Sequence, residues 1–439
     1  MKRKLLGGFG VIVAFFALQF VQTEIQAGLF DLIKPCAAIG ECNPCDKVYD
    51  TGCDPCADID ACYAKVKKSQ WFANGYFEVG FFANEYGQKN HYLANPTERT
   101  RAWIPQSGNT SYLQHNANTG IQLNQLYISV GRAVDGKHGL DVGGTVDFTF
   151  GTDAQFVQAA GLEFNDNFGT KESQWGSGDY YSSFAQAFIE VAYKRWNIKV
   201  GKVYSPFGSN GYKSTDRFFY SVADTYAMVP ATALAAYATY TVNNNLSVYG
   251  GWVQPDQFGE TSENNALLFG FDWNVGKRLT LSYAYGAGTD KRGRYDVDYF
   301  VQSLVTKYKI NSRLTSIFDW TVYNISQNPD YDTAGVYGIN TELIYQYNSQ
   351  WAFGFRAGWG RDINNFFYGI NNQQTYDNKY TFSLGANWTP LTWLTIKTEL
   401  RYDKFEDTEA FNRFASDGSL RPDCKTDQFS GGMSAIVKF

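Results

Sequence analysis

The sequence predicts an all-β fold, a 16-stranded antiparallel transmembrane β-barrel with short turns at one end and long loops at the other. Three observations predict it. Long stretches alternate apolar and polar residues with period two. Their connections alternate strictly between short and long. Tryptophan and tyrosine gather beside the short connections. The clearest single stretch is the carboxy-terminal one, where Phe429, Gly431, Met433, Ala435, Val437 and Phe439 share a face opposite Gln428, Ser430, Gly432, Ser434 and Lys438. A soluble strand runs about 5 to 6 residues, whereas a strand that crosses a bilayer needs about 9 to 11.

The chain opens on a basic cluster, Met1 to Lys4, followed by the apolar run Leu5 to Phe20. Residues 1–27 therefore read as a secretory signal peptide with cleavage after Ala27, although Ile25 departs from the small residue favoured three positions before the cut. The apolar run is shorter than the ~20 residues of a spanning helix. Residues 28–70 hold Cys36, Cys42, Cys45, Cys53, Cys56 and Cys62, including two Cys-x-Pro-Cys pairs. Four such thiolates could close a zinc tetrahedron, but an exported chain meets an oxidising compartment, which favours disulfides. Their connectivity stays open, and no histidine follows either pair as haem attachment would require. A short helix over residues 55–68 completes this Cys-rich periplasmic module, with Asp54 and Pro55 at its start and Lys65, Lys67 and Lys68 at its end.

From Trp71 to the terminus the alternation predicts strands near 73–84, 121–132, 139–151, 183–194, 197–204, 232–242, 246–254, 266–275, 279–287, 297–310, 314–324, 335–347, 351–361, 379–388, 393–403 and 427–439. After every even-numbered strand comes a tight polar turn, such as 243–245, 311–313 or 348–350. The connections after odd-numbered strands are longer, especially 85–120, 152–182, 205–231 and 404–426. A soluble sandwich has no reason to keep that order; an outer-membrane barrel has. Both termini then lie in the periplasm, and Cys424 lies in an external loop. Trp196, Trp273, Tyr347, Trp351, Trp388 and Trp393 beside the short turns suit an interfacial belt. Charges such as Glu78, Asp147, Glu190, Asp272, Asp319 and Glu342 all fall on the polar face of their strands. Arg or Lys at the midplane of the lipid face would cost about 2–4 kcal/mol, so that face is expected to be the wet one.

Composition narrows the function. Aromatic residues reach 17% while mean hydropathy is only −0.35, the signature of apolarity concealed in alternation. A net charge of −5 argues against nucleic acid as a partner. No catalytic constellation, cofactor motif or phosphate-cradling loop stands out, so the chain reads as a non-enzyme. His91, His115 and His138 fall in loops or a turn. The best candidate site is the third long connection, 205–231, whose aromatic and small apolar residues have surface to bury. Folded inward, it would lay its apolar side on the wall while Lys213, Asp216, Arg217 and Asp224 narrow the pore. Lys199, Arg356, Lys379, Lys397, Glu399 and Arg401 would line the lumen, the basic ones setting a transverse field against the acidic loop residues.

The stretch Gly201-Lys202 to Pro206-Phe207-Gly208, with Trp71 and Asn74-Gly-Tyr-Phe77, resembles the beta-barrel porin family of planctomycete-like bacteria. Over residues 71–439 the chain is similar to bacterial sixteen-stranded general porins, although the cysteine module lies outside that pattern. The resemblance implies passive diffusion of small hydrophilic solutes and ions, a place among outer-membrane lipids, a homotrimer, and an inward-folded third loop. Two other classes compete: an envelope anchor in which residues 28–70 tether the membrane to a wall or periplasmic partner, and an outer-membrane enzyme.

Overall fold

The computed structural model describes residues 70–86, 121–159, 163–167, 170–173, 175–177, 180–255, 265–292, 295–328, 331–363, 377–407, 409, 411 and 424–439. The expected signal peptide, the six clustered cysteines, the helix over 55–68, His91 and His115 lie outside the described residues.

Sixteen barrel strands follow one another in antiparallel order: β1 (Trp71–Asn84), β2 (Ile121–Arg132), β3 (Leu140–Gly151), β4 (Tyr180–Tyr193), β5 (Trp196–Tyr204), β6 (Thr232–Asn243), β7 (Leu246–Pro255), β8 (Asn265–Val275), β9 (Leu279–Arg292), β10 (Tyr295–Lys309), β11 (Leu314–Asn328), β12 (Tyr331–Gln346), β13 (Trp351–Ile363), β14 (Asp377–Leu391), β15 (Leu394–Phe405) and β16 (Asp427–Lys438). The barrel closes where β16 pairs with β1, with Phe77 opposite Val437 and Phe81 opposite Met433. The terminal Phe439 completes that seam by exchanging two 2.9 Å main-chain hydrogen bonds with Gly75. A small hairpin, Phe164–Asn167 with Thr170–Ser173, and the two-residue strand Gly176–Ser177 belong to the second long connection.

The short turns explain their own sequences. In three of them an asparagine comes first, and its side-chain oxygen accepts the main-chain N–H groups two and three residues on: Asn243 from Asn245 and Leu246, Asn311 from Arg313 and Leu314, Asn348 from Gln350 and Trp351. These local bonds satisfy the amides that the ladder leaves open and set the pairing register. Gly276 occupies a positive φ of 67° in the turn after β8, a region that favours glycine.

Strand boundaries agree closely with the period-two reading near the short turns and run longer at the other end. β9 continues to Arg292, β11 to Asn328, and β12 begins at Tyr331. In those extensions neighbouring backbones remain paired, as at Arg292 and Tyr295 or Asn328 and Tyr331, although the apolar alternation has ended. Pairing between chains needs only amides and carbonyls, so a side-chain pattern marks the lipid-facing part of a strand and not its full length.

Burial is inverted relative to a soluble protein. Leu140, Leu267 and Leu400 on the outer face are 70%, 69% and 68% exposed, whereas Glu78, Asp147, Asp319 and Arg356 on the inner face are 0% exposed. Cross-strand register carries the charges onto that inner face one strand after another: Glu190 opposite Lys199, Glu342 opposite Arg356, Arg356 opposite Ser383, Ser383 opposite Arg401. Trp351 and Trp388 stack at 5.7 Å beside the short turns, both partly exposed. An outer apolar face of this kind needs lipid. Placing an arginine at Leu400, mid-strand on β15, is therefore expected to destabilise the barrel by about 2–4 kcal/mol in urea titrations after refolding into lipid vesicles. An unchanged midpoint would contradict the lipid-facing assignment.

Candidate functional site

The third long connection, residues 205–231, turns into the barrel and is described along its whole length. Gly208 makes the turn with a φ of +78°, strained for any other residue, and its amide donates to Ser303 Oγ on β10 at 3.1 Å. Ser209 follows, donating from both its amide and its hydroxyl to Asp319 Oδ2 on β11 at 2.8 Å. Asn210 reaches Glu342 on β12. Two residues later the chain is on the opposite wall: the Tyr212 hydroxyl is 2.9 Å from Thr149 Oγ1 on β3, and the Tyr212 carbonyl accepts from Gln125 on β2. Residues 209–213 are therefore a strap across the lumen, from β11 and β12 to β2 and β3.

Beyond the strap the loop packs back along β13–β16 and β1. The rings of Phe218, Phe219 and Tyr220 lie where the inner face carries glycine. A Cβ on Gly385 would stand 3.0 Å from Phe219, and side chains on Gly354 or Gly432 would overlap Phe218 or Tyr220. Tyr220 also accepts from Asn124 Nδ2 through its hydroxyl at 2.9 Å. Ser221 is the hub. Its amide and hydroxyl donate to the Glu399 carboxylate at 2.7 and 2.8 Å, its carbonyl accepts from Arg356 Nη1 at 2.9 Å, and its hydroxyl also accepts from Arg401 Nη1 at 3.0 Å. Arg356 and Glu399 are themselves 2.6 Å apart.

The one-turn helix α1 (Asp224–Ala227) supplies the second anchor. Asp224 Oδ1 accepts from Lys379 Nζ and Arg401 Nη2, each at 3.0 Å, and Oδ2 accepts from Thr381. Asp403 pairs with the same two cations at 3.2 and 2.8 Å. Burial alone would push the Asp224 carboxyl up, but the Lys379 and Arg401 charges outweigh it and hold it below its ordinary value. Lys397 Nζ donates to the carbonyls of Ser214 and Arg217. At the base of the loop, Phe207, Met228 and Val229 share an apolar cluster with Val203, Ala233, Val253, Ala266 and Leu268 in the long-loop half of β5–β8. The second long connection is fixed separately, by a 2.8 Å ion pair between Lys202 and Glu163.

Of the four loop residues singled out in the sequence, the structure brings Asp224 to Lys379 and Arg401. Arg217 is buried and donates to the Gly211 and Tyr212 carbonyls. Lys213 stays partly exposed, 3.9 Å from Asp147 and over the Tyr127 ring at 5.0 Å, and Asp216 is exposed. Among the six wall residues, Arg356, Lys379, Lys397, Glu399 and Arg401 are buried under the loop. Lys199 alone of these keeps substantial side-chain exposure, 30%, beside Glu190. The inner face is thus divided: the sector β13–β16 and β1–β3 is covered by the loop, while the short-turn half of β4–β8 keeps its inner residues partly open. Sequence reasoning put Asp319 and Asp403 on the polar face but gave neither of them, nor Ser221 or Glu163, a role at the site. Inner-face glycines at 354, 385 and 432 were the available signal, since three such vacancies on nearby strands leave room for side chains from elsewhere.

Among known proteins, the family model described as "Putative beta-barrel porin-2, OmpL-like" matches residues 74–439. No curated protein matches the chain. Solved structures share the fold at low identity. The trimer form of OmpT, an outer membrane protein of Vibrio cholerae, aligns with a TM-score of 0.53 at 12% identity, covering 84% of this chain and 99% of OmpT. The outer membrane channel DcaP of Acinetobacter baumannii aligns at 0.51 and 10% identity, covering 84% and 97%. An anion-selective porin from Comamonas acidovorans aligns at 0.53 and 8% identity, covering 85% and 100%.

Proposed function

The chain belongs to the beta-barrel porin-2, OmpL-like family of the outer membrane, and from that premise we propose that it is a water-filled channel for small hydrophilic solutes and ions, narrowed by its third long loop. One observation carries the reading: the strap at 209–213 is hydrogen-bonded to β11 and β12 at one end and to β2 and β3 at the other, and the loop beyond it is tied to the wall by buried ionic contacts of Asp224 with Lys379 and Arg401. With one sector filled, the open cross-section lies against β4–β8. Lys213 and Asp216 are the charged groups of the loop left exposed, and Lys199 stands on the wall of the open sector. Asp224, Arg356, Lys379, Lys397, Glu399 and Arg401 act by holding residues 214–224 against the wall, and Arg217 stiffens the loop internally. Selectivity then comes from a few charges at an off-centre opening. The short turns face the periplasm, and the family fold suits a homotrimer.

Purified protein is expected to form ohmic channels in planar bilayers; repeated failure to conduct by a folded barrel would remove the channel reading. Lys213→Gln should move the reversal potential toward cations and Asp216→Asn toward anions. If both variants keep the parent reversal potential, the loop edge is not the narrow point.

A further inference from the structure

We propose that the uncovered wall carries a saccharide-binding platform built on Tyr249 and Tyr237, an inference that rests on the channel reading for its access route. Tyr249 faces the lumen from β7, and its hydroxyl is committed sideways, donating to the Tyr283 main-chain carbonyl at 3.0 Å. Its ring lies across Gly270, directly opposite in register, where any Cβ would overlap it. A ring pinned flat against the wall, its hydroxyl already bonded, offers the lumen its face. Tyr237 on β6 stands against it edge-on, with centroids 6.3 Å apart and planes at 64°. Together they form a floor and a side, and both remain partly open.

Ionic groups rim this apolar step. Lys199 is directly opposite Tyr237, with its ammonium 4.8 Å above the Phe188 ring and 3.7 Å from Glu190. Glu190 accepts from Asn197, and Asp272, exposed on the next strand, accepts from Ser282 at 2.6 Å. A carboxylate has two oxygens and about four acceptor sites, so each keeps capacity for a ligand. The arrangement is a flat apolar face bordered by one cationic donor and two anionic acceptors. A hydrocarbon or aromatic ligand would cover the face and leave the rim desolvated, at a cost. A small cation would satisfy the carboxylates and waste the face, besides meeting Lys199. A pyranose has an apolar C–H face and a girdle of hydroxyls that both donate and accept, and it meets both demands. Passage requires the contact to be weak, with dissociation constants on the order of millimolar.

The test uses the whole protein refolded in detergent, with maltose as probe and sorbitol, which has no ring face, as control. Saturation-transfer NMR is expected to show maltose binding and no sorbitol binding. Tyr249→Phe keeps the face and should retain maltose. Tyr249→Leu keeps bulk in a half-open lumen position and should weaken it about fivefold, the size of one aromatic face contact. In bilayers, maltose should interrupt the parent current, and the Leu variant should need about fivefold more maltose for the same interruption. Equal binding of sorbitol, no maltose binding, or a Leu variant indistinguishable from the parent would overturn the platform. The two readings separate cleanly: conduction without maltose binding sinks only the platform, and maltose binding without conduction sinks only the channel.

Discussion

Arg356→Ala is expected to loosen the docking of residues 217–224 on the wall and raise single-channel conductance, with larger open-state current noise. The guanidinium joins Ser221, Ser383 and Glu399 and lies 4.5 Å from the Phe219 ring, all away from water. Removing one partner of such a buried pair costs about 3–5 kcal/mol, because the other charge stays behind unpaired. The barrel ladder does not pass through this side chain, so the loss falls on the docking of residues 217–224. Arg356→Lys separates charge from shape: it keeps the cation but loses the planar fork, and should give intermediate docking. A conductance equal to the parent's in the Ala variant would show that the ion pairs do not hold the loop.

Gly432→Val is expected to lift Tyr220 from the wall. Any Cβ at that position overlaps the Tyr220 ring, and overpacking of this kind costs about 1–3 kcal/mol. The sharper measurement is a double-mutant cycle. Tyr220→Ala empties the space the new side chain would enter, so the pair should be less destabilised than the two single changes summed, with a coupling of about 0.5 kcal/mol or more. Additive effects would mean that Tyr220 does not rest on β16 in the membrane.

These two expectations mark where the sequence was readable and where it was not. Strand parity at Glu342, Arg356 or Arg401 is a local property, since each residue's face follows from its neighbours two positions away. Turn length and the leading asparagines at 243, 311 and 348 are local as well. That is why the sixteen strands and their short-long order could be read directly. Which inner-face residues stay wet is not local. Parity puts Lys199 and Lys397 on the same surface, yet the first borders the open sector and the second is buried against the Ser214 and Arg217 carbonyls. Only the path of residues 205–231 separates them, and nothing near either lysine encodes that path. The polar face read as uniformly wet is therefore half wet and half core. The phenylalanines at 218 and 219 announced that the loop had surface to bury, and the inner-face glycines at 354 and 385 announced room for it. Matching the two requires knowing that they meet.

The reach of those contacts also orders the assembly of the molecule in time. Ser221 finds Arg356 at a separation of 135 residues, and Ser214 finds Lys397 at 183. Contacts so distant along the chain form late, after the entropy of the intervening segment has been surrendered. Residues 214–224 have nowhere to settle until β13–β15 are in position, so docking of the loop waits for the strands made last.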